Sequence, residues 1–135
     1  MEVNPLLFFF GWNMYYYFCM RNSEILEKKV FVVVGDTVNP DKYAYKIKQA
    51  LLQDGYTVYC VGKELESLND VPCTFDVLDL CIHPKKGMTL LQDAVVDIPF
   101  VLIQPGAGDD EIYSYLSSKS IEWQDGCILK ALQER

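Results

Sequence analysis

From Val30 onward, the spacing of the hydrophobic residues switches repeatedly between two patterns. Short runs of mainly apolar residues recur at 30–34, 57–61, 77–82, 100–103 and 121–123. Such runs are typical of strands that are buried on both faces. Between them, apolar residues recur at helical spacing, as at Tyr43, Ile47, Ala50 and Leu51. The pattern therefore predicts strands that alternate with helices.

Strands that alternate with helices need right-handed parallel crossovers, which predicts an α/β fold. We expect a doubly wound parallel five-stranded sheet with strand order 3-2-1-4-5 and helices on both faces. One domain covers residues 29–135, and residues 1–28 form an N-terminal extension. Asn39 and Pro40 predict the cap and first position of the helix after the first strand, and Gly55 predicts its end.

The N-terminal stretch from Val3 to Met20 carries no charge and is rich in aromatic residues. A membrane helix needs about 20 mainly apolar residues, but proline, glycine and asparagine interrupt this stretch. No basic segment of the kind that opens a signal peptide precedes it. Because Met20 resembles a start, we interpret residues 1–19 as upstream sequence that is not native. A membrane anchor and a dimerisation arm are the alternatives.

The net charge of the chain is −7 at pH 7. An acidic surface repels a phosphate backbone, so we expect no nucleic-acid partner. The five cysteines form no C-x-x-C pair, and His83 is the one histidine. We therefore expect reduced thiols, no metal site and a cytoplasmic protein. A small phosphorylated ligand is compatible with this charge, because a local pocket can be positive on an acidic protein.

The loop after the first strand carries the candidate chemistry. In a doubly wound sheet, ligands bind beyond the carboxyl ends of the strands. Gly35 allows a tight turn there, Thr37 supplies a hydroxyl, and the helix that follows points free N–H groups at the loop, so the loop is a candidate anion site. The G-x-G-x-x-G fingerprint of dinucleotide sites is absent. Lys63 follows the second strand, where an NAD site has an acidic residue.

Several segments resemble those of the CoA-binding domain family. Gly35–Tyr43 (GDTVNPDKY) is similar to the family's G-A-S-x-N-P-x-K-Y signature, and Gly55–Val61 (GYTVYCV) is similar to its G-Y-x-V-x-P-V segment. Asp79, Gln104–Gly106 and Asp125–Ile128 match in order and spacing. The family includes small stand-alone bacterial proteins and the N-terminal domain of the succinyl-CoA synthetase alpha subunit.

The resemblance implies a Rossmann-like CoA-binding fold, with coenzyme A or acyl-CoA as the ligand. It implies that the first loop and helix start hold phosphates and that the segment after the second strand lines the adenine and ribose. The loops after strands three and four would complete the pocket. The residues to which these roles carry over are Gly35, Thr37, Asn39, Lys42, Tyr43, Val61, Gly62, Lys63, Ile82, His83, Pro84, Gln104, Pro105 and Gly106.

Three positions depart from the family pattern. Asp36 stands where the family usually has alanine, Gly62-Lys63 replaces Asn-Pro, and Cys60 replaces a frequent proline. A carboxylate beside phosphates opposes binding unless it points away. Cys127 matches a recurrent cysteine of the family and is either a thiol near the ligand or a small buried residue in a tight turn.

The sequence shows no set of residues in a pattern that is typical of catalysis. No nucleophile–base pair and no paired carboxylates are present, so we predict no catalytic residue. We expect a CoA-binding carrier, sensor or subunit. The alternatives are an NADP-type oxidoreductase and a degenerate Rossmann domain used for protein–protein contact, which Asp36 favours.

Overall fold

The computed structural model describes residues 22–134, so the interpretation of residues 1–19 lies outside the described residues. The strands are β1 (Val30–Gly35), β2 (Thr57–Gly62), β3 (Val77–Leu80), β4 (Phe100–Ile103) and β5 (Glu122–Asp125). The helices are α1 (Asn22–Ile25), α2 (Tyr43–Gln53), α3 (Pro84–Asp93), α4 (Asp110–Ser118) and α5 (Ile128–Glu134), with a 3₁₀ helix at Leu68–Asp70. Within 22–134, none of these helices has the length and apolar character that spanning a bilayer requires.

The five strands pair in parallel, in the order β2-β1-β3-β4-β5. The α/β class and the doubly wound parallel sheet are confirmed, with β1 in the interior and the β1–β2 and β4–β5 pairs as expected. The observed order differs from 3-2-1-4-5 in the place of β3, which lies between β1 and β4 instead of beyond β2. All four residues of β3 are buried, whereas β2 is partly exposed, so β2 suits the sheet edge.

The position of β3 fixes where the sheet changes direction. The chain leaves β1 for β2 on one side and then returns to β3 on the other side of β1. The topological switch point is therefore between β1 and β3, as in sheets of the flavodoxin type. At their carboxyl ends Val34 lies opposite Leu80, and Gly35 lies opposite Gly62 of β2.

Two apolar cores cover the two faces of the sheet. Successive side chains of a strand point to opposite faces, so β1 contributes Val32 and Val34 to one core and Phe31 and Val33 to the other. The first core packs against α3 and α4 and the second against α2 and α5. Helices therefore lie on both faces, as expected, and the ends of the strands remain available for a site.

Helix α2 begins later than the sequence predicts. Its N-cap is Lys42, and the expected cap and first position, Asn39 and Pro40, lie in the preceding turn. In that turn the Asn39 side chain accepts from the N–H of Asp41 at 3.0 Å, and the Asn39 carbonyl accepts from the N–H of Lys42 at 3.0 Å. Such local side-chain bonds compete with the helix. Gly55 follows the end of α2 at φ +94°, as expected.

Candidate ligand-binding site

The carboxyl ends of three strands meet backbone to backbone at Gly35, Gly62 and Cys81. A Cβ at Gly35 would collide with the Cys81 carbonyl oxygen and lie 2.9 Å from the Ala44 Cβ. A Cβ at Gly62, whose φ is +132°, would lie 2.6 Å from the Gly35 carbonyl oxygen. Only glycine fits such approaches. The absence of side chains here leaves a cleft above the strand ends.

This cleft has a volume of about 470 Å³ and lies at the switch point. Its first side is the loop that leads into α2, its second side is the end of β2, and its third side is the end of β3 with the start of α3. The residues that line it are Gly35, Asp36, Lys42, Tyr43, Ala44, Gly62, Lys63, Cys81, Ile82, His83 and Lys86. A cleft of this size is in the range of small-molecule sites.

Three lysines line the cleft on a chain whose net charge is −7: Lys42, Lys63 and Lys86. They come from three different segments, so the cleft is positive from several directions. Such a local concentration of one charge attracts ligands of the opposite charge. The arrangement suits an anion with more than one charged group.

Asp36 is the acidic residue of the cleft lining. Its carboxylate accepts from the backbone N–H groups of Val38 and Asn39, each at 3.1 Å. These two bonds, with Lys63 and Lys42 nearby, hold the pKa of Asp36 below its usual value. Asp36 is therefore ionised at neutral pH, and it occupies two N–H groups of the loop that would otherwise be open to an anion.

Two helices begin at the cleft. The N-cap of α2, Lys42, makes no side-chain hydrogen bond to the first turn, so its leading N–H groups are left for another acceptor. The N-cap of α3 is His83, whose Nδ1 accepts from the N–H of Lys85 at 3.2 Å. The positive ends of both helix dipoles add to the charge of the lysines.

A second groove of about 400 Å³ continues from the cleft along α3. It shares Gly62, Ile82 and Lys86 with the cleft, and the rest of its lining is Glu66, Lys85, Thr89 and Leu90. Its lining is more apolar than that of the cleft. A ligand with a charged part and a flat apolar part would find complementary surfaces side by side.

The structure brings together half of the residues that the sequence singles out. Those that line the cleft are Gly35, Lys42, Tyr43, Gly62, Lys63, Ile82 and His83. Tyr43 is exposed over 68 % of its surface beside the cleft, so its ring is available to a ligand. Ala44, Cys81 and Lys86 also line the cleft and were not among the residues predicted for it, although the place of Lys86 in the first turn after a strand end was a usable signal.

The other seven residues lie outside the cleft lining. Asn39 is in the turn before α2 and Pro84 opens α3. Thr37 and Val61 are buried. Gln104, Pro105 and Gly106 follow β4, which the position of β3 moves one strand away from the switch point. Cys127 is half-buried and also lies outside this lining.

A buried carboxyl lies on β3, in the strand that reaches the cleft. Asp79 is fully buried, its Oδ1 accepts from Nε2 of Gln104, and its Oδ2 has no partner. Burial raises the pKa of Asp79 to about 7. Cys81 lies two residues after Asp79. Burial, together with the nearby Asp79 and Cys127, raises the pKa of the Cys81 thiol to about 12. The Cys81 thiol is therefore protonated at neutral pH and is a poor nucleophile.

Comparisons with known proteins agree with this architecture. Residues 29–133 match the sequence model of a family described as CoA binding domain. A conserved hypothetical protein from Pyrococcus furiosus is 27 % identical, with a TM-score of 0.67, and the match covers 79 % of this chain and 99 % of that one. No protein in the curated set matches the chain.

Two further solved structures share the fold at lower identity. A hypothetical protein from Pyrococcus horikoshii is 20 % identical, with a TM-score of 0.72, and the match covers 99 % of this chain and 97 % of that one. A protein from Thermus thermophilus is 21 % identical, with a TM-score of 0.68, and the match covers 86 % and 98 %.

Proposed function

Because this chain belongs to the CoA-binding domain family, we propose that it binds coenzyme A or an acyl-CoA in the cleft between β1 and β3. We further propose that it does so without catalysis, as a carrier, a sensor or a subunit of a larger assembly. The family match covers residues 29–133, which include all three sides of the cleft and the whole sheet.

The observation that supports this proposal most strongly is the positive cleft on an acidic chain. Lys42, Lys63 and Lys86 converge on one cavity although acidic residues outnumber basic ones in the chain. Coenzyme A carries a diphosphate and a ribose 3′-phosphate, so it offers several anionic groups to such a cavity. The diphosphate would lie at the start of α2 beside Lys42, and Lys63 would bind the 3′-phosphate.

The groups around the cleft also support a binding role over a catalytic one. The Cys81 thiol is protonated at neutral pH because its pKa is about 12. His83 uses Nδ1 to accept from Lys85 at the start of α3. The one carboxylate of the lining, Asp36, is bonded to backbone N–H groups. No pair of these groups is arranged as nucleophile and base.

Calorimetric titration with CoA and dephospho-CoA tests the proposal. Lys63→Ala is expected to weaken CoA binding roughly 10- to 100-fold, the value of a charge-assisted phosphate contact, and to change dephospho-CoA binding little. Lys130→Ala is the matched control, because Lys130 is an exposed lysine of α5 outside the cleft lining. Equal losses for both ligands would remove Lys63 from the 3′-phosphate site.

The same titration distinguishes the alternatives. NADP also carries a ribose phosphate, so tighter binding of NADP than of CoA would favour an oxidoreductase-type site. No heat from CoA, NADP or ATP at millimolar concentration would reject a nucleotide ligand. That result would favour a domain that is used for protein–protein contact.

A further inference from the structure

Thr37 lies beside the cleft without lining it, because its side chain is only 1 % exposed. Its Oγ1 donates to Oε2 of Glu64 at 2.6 Å. Nζ of Lys48 lies 2.8 Å from the same Glu64 oxygen. Thr37, Lys48 and Glu64 thus form one connected group, which we call the brace, and it joins the loop after β1, helix α2 and the loop after β2.

The single hydroxyl proton of Thr37 determines which acceptor it can bind. A threonine hydroxyl has one O–H to donate. The bonds from Lys48 and Thr37 lower the pKa of Glu64, so Glu64 is an ionised carboxylate that can only accept. Thr37 must therefore be the donor. A phosphate oxygen also needs a donor, and Thr37 has none left for it.

The brace joins residues that are adjacent in sequence to the first and second sides of the cleft. Thr37 follows Asp36 on the first side, and Glu64 follows Lys63 on the second side. The loop after β2 is itself closed tightly, because the N–H of Gly62 donates to the Leu65 carbonyl at 2.6 Å and the N–H of Leu65 donates to the Cys60 carbonyl at 3.1 Å. A bond between 37 and 64 therefore constrains the distance between the two sides.

From this geometry we infer that Thr37 is a positioning residue for the ligand and not a phosphate ligand. Through Glu64 it fixes Lys63 relative to Lys42, and Lys48 holds the Glu64 carboxylate in place from helix α2, at 2.8 Å. This inference rests on the proposed function as far as CoA is concerned. The brace itself is a property of the protein without ligand.

A double-mutant cycle on the full chain tests the inference, with the affinity for CoA measured by calorimetry. Thr37→Val removes the donor with little change of shape and is expected to weaken CoA roughly 3- to 30-fold, as for members of one hydrogen-bonded network. In a Glu64→Ala background the same change is expected to have little effect. Thr37→Ser keeps the donor and should retain the affinity. Thr57→Val, at the exposed start of β2, is the control and should also retain it.

Two results of the cycle would overturn the inference. The same loss from Thr37→Val in both backgrounds would mean that the hydroxyl contacts the phosphate directly. No loss in the wild-type background would mean that the brace does not position the site.

Amide hydrogen exchange of the ligand-free protein separates this inference from the proposed function. Thr37→Val is expected to speed the exchange of the Gly62 and Leu65 N–H groups, because their loop loses its tie to the first side of the cleft. If the wild type binds no CoA, the ligand assignment fails, and faster exchange would still support the brace. Unchanged exchange in Thr37→Val would overturn the brace whatever CoA does.

Discussion

Asp36 places a negative charge among the lysines that line the cleft. Asp36→Asn removes the charge and keeps an oxygen that can accept from Val38 and Asn39, so we expect tighter CoA binding and an almost unchanged Tm. Asp36→Ala removes both features, so we expect a lower Tm together with the gain in affinity. Calorimetry and thermal melting measure the two effects separately. Weaker binding of the Asn variant would show that Asp36 contacts the ligand favourably.

Asp79 makes the stability of the fold depend on pH. Its pKa is about 7 in the folded protein, against an ordinary value of 3.8, because burial penalises the charged form. The folded state therefore holds a proton that the unfolded state has lost between these values. The contribution of this group to stability is greatest below pH 4 and is lost as pH rises towards 7, a change on the order of 4 kcal/mol. Above pH 7 its effect is constant.

Asp79→Asn isolates this effect, because the amide oxygen can still accept from Gln104 and cannot ionise. We expect the variant to have a higher Tm than the wild type at pH 8, with the difference shrinking as pH falls to 5. Thermal melting across that range measures it. Parallel curves for the two proteins would mean that Asp79 is not the titrating group.

At the scale of elements, the contact between strand ends depends on glycine. Gly35→Ala is expected to lower stability by roughly 1–3 kcal/mol more than Gly106→Ala, the usual cost of overpacking. Both glycines have positive φ, but a Cβ at Gly106 meets nothing within 4 Å, whereas one at Gly35 meets Cys81 and Ala44. Chemical denaturation measures the difference, and equal losses would contradict the close approach of β1 and β3.

The strands and most helices could be predicted because their hydrophobic periods are local. The order of the strands could not, because a run such as 77–80 shows that it is buried but not which neighbour it pairs with. That difference moved the loop at 104–106 away from the site. The start of α2 was missed because Asn39 accepts one bond with its side chain and one with its carbonyl, and these stabilise a separate turn. Lys42 was predicted from the motif after β1 and Lys63 from its place after β2, where it departs from the family pattern, whereas Lys86 lies in no motif.

At the scale of the whole molecule, a positive cleft in an acidic protein makes binding sensitive to salt. Charges separated by more than about 10 Å are largely screened at 0.1 M ionic strength. We expect the affinity for CoA to fall as the salt concentration rises from about 50 to about 500 mM, because the screening length shortens, and we expect the affinity for dephospho-CoA to fall less. Titrations at several salt concentrations measure this, and equal slopes would argue against a bound 3′-phosphate.

Strand β5 is an edge strand of the sheet and is only four residues long, from Glu122 to Asp125. An edge strand presents unpaired N–H and C=O groups. A strand of another molecule can pair with these groups, and such pairing leads to aggregation. Here a carboxylate stands at each end of the strand, and both of these residues are exposed. If β5 of a second copy approached β5 edge to edge, these negative charges would come close together. The brevity and the acidity of β5 therefore disfavour pairing of this edge with the same edge of a second copy.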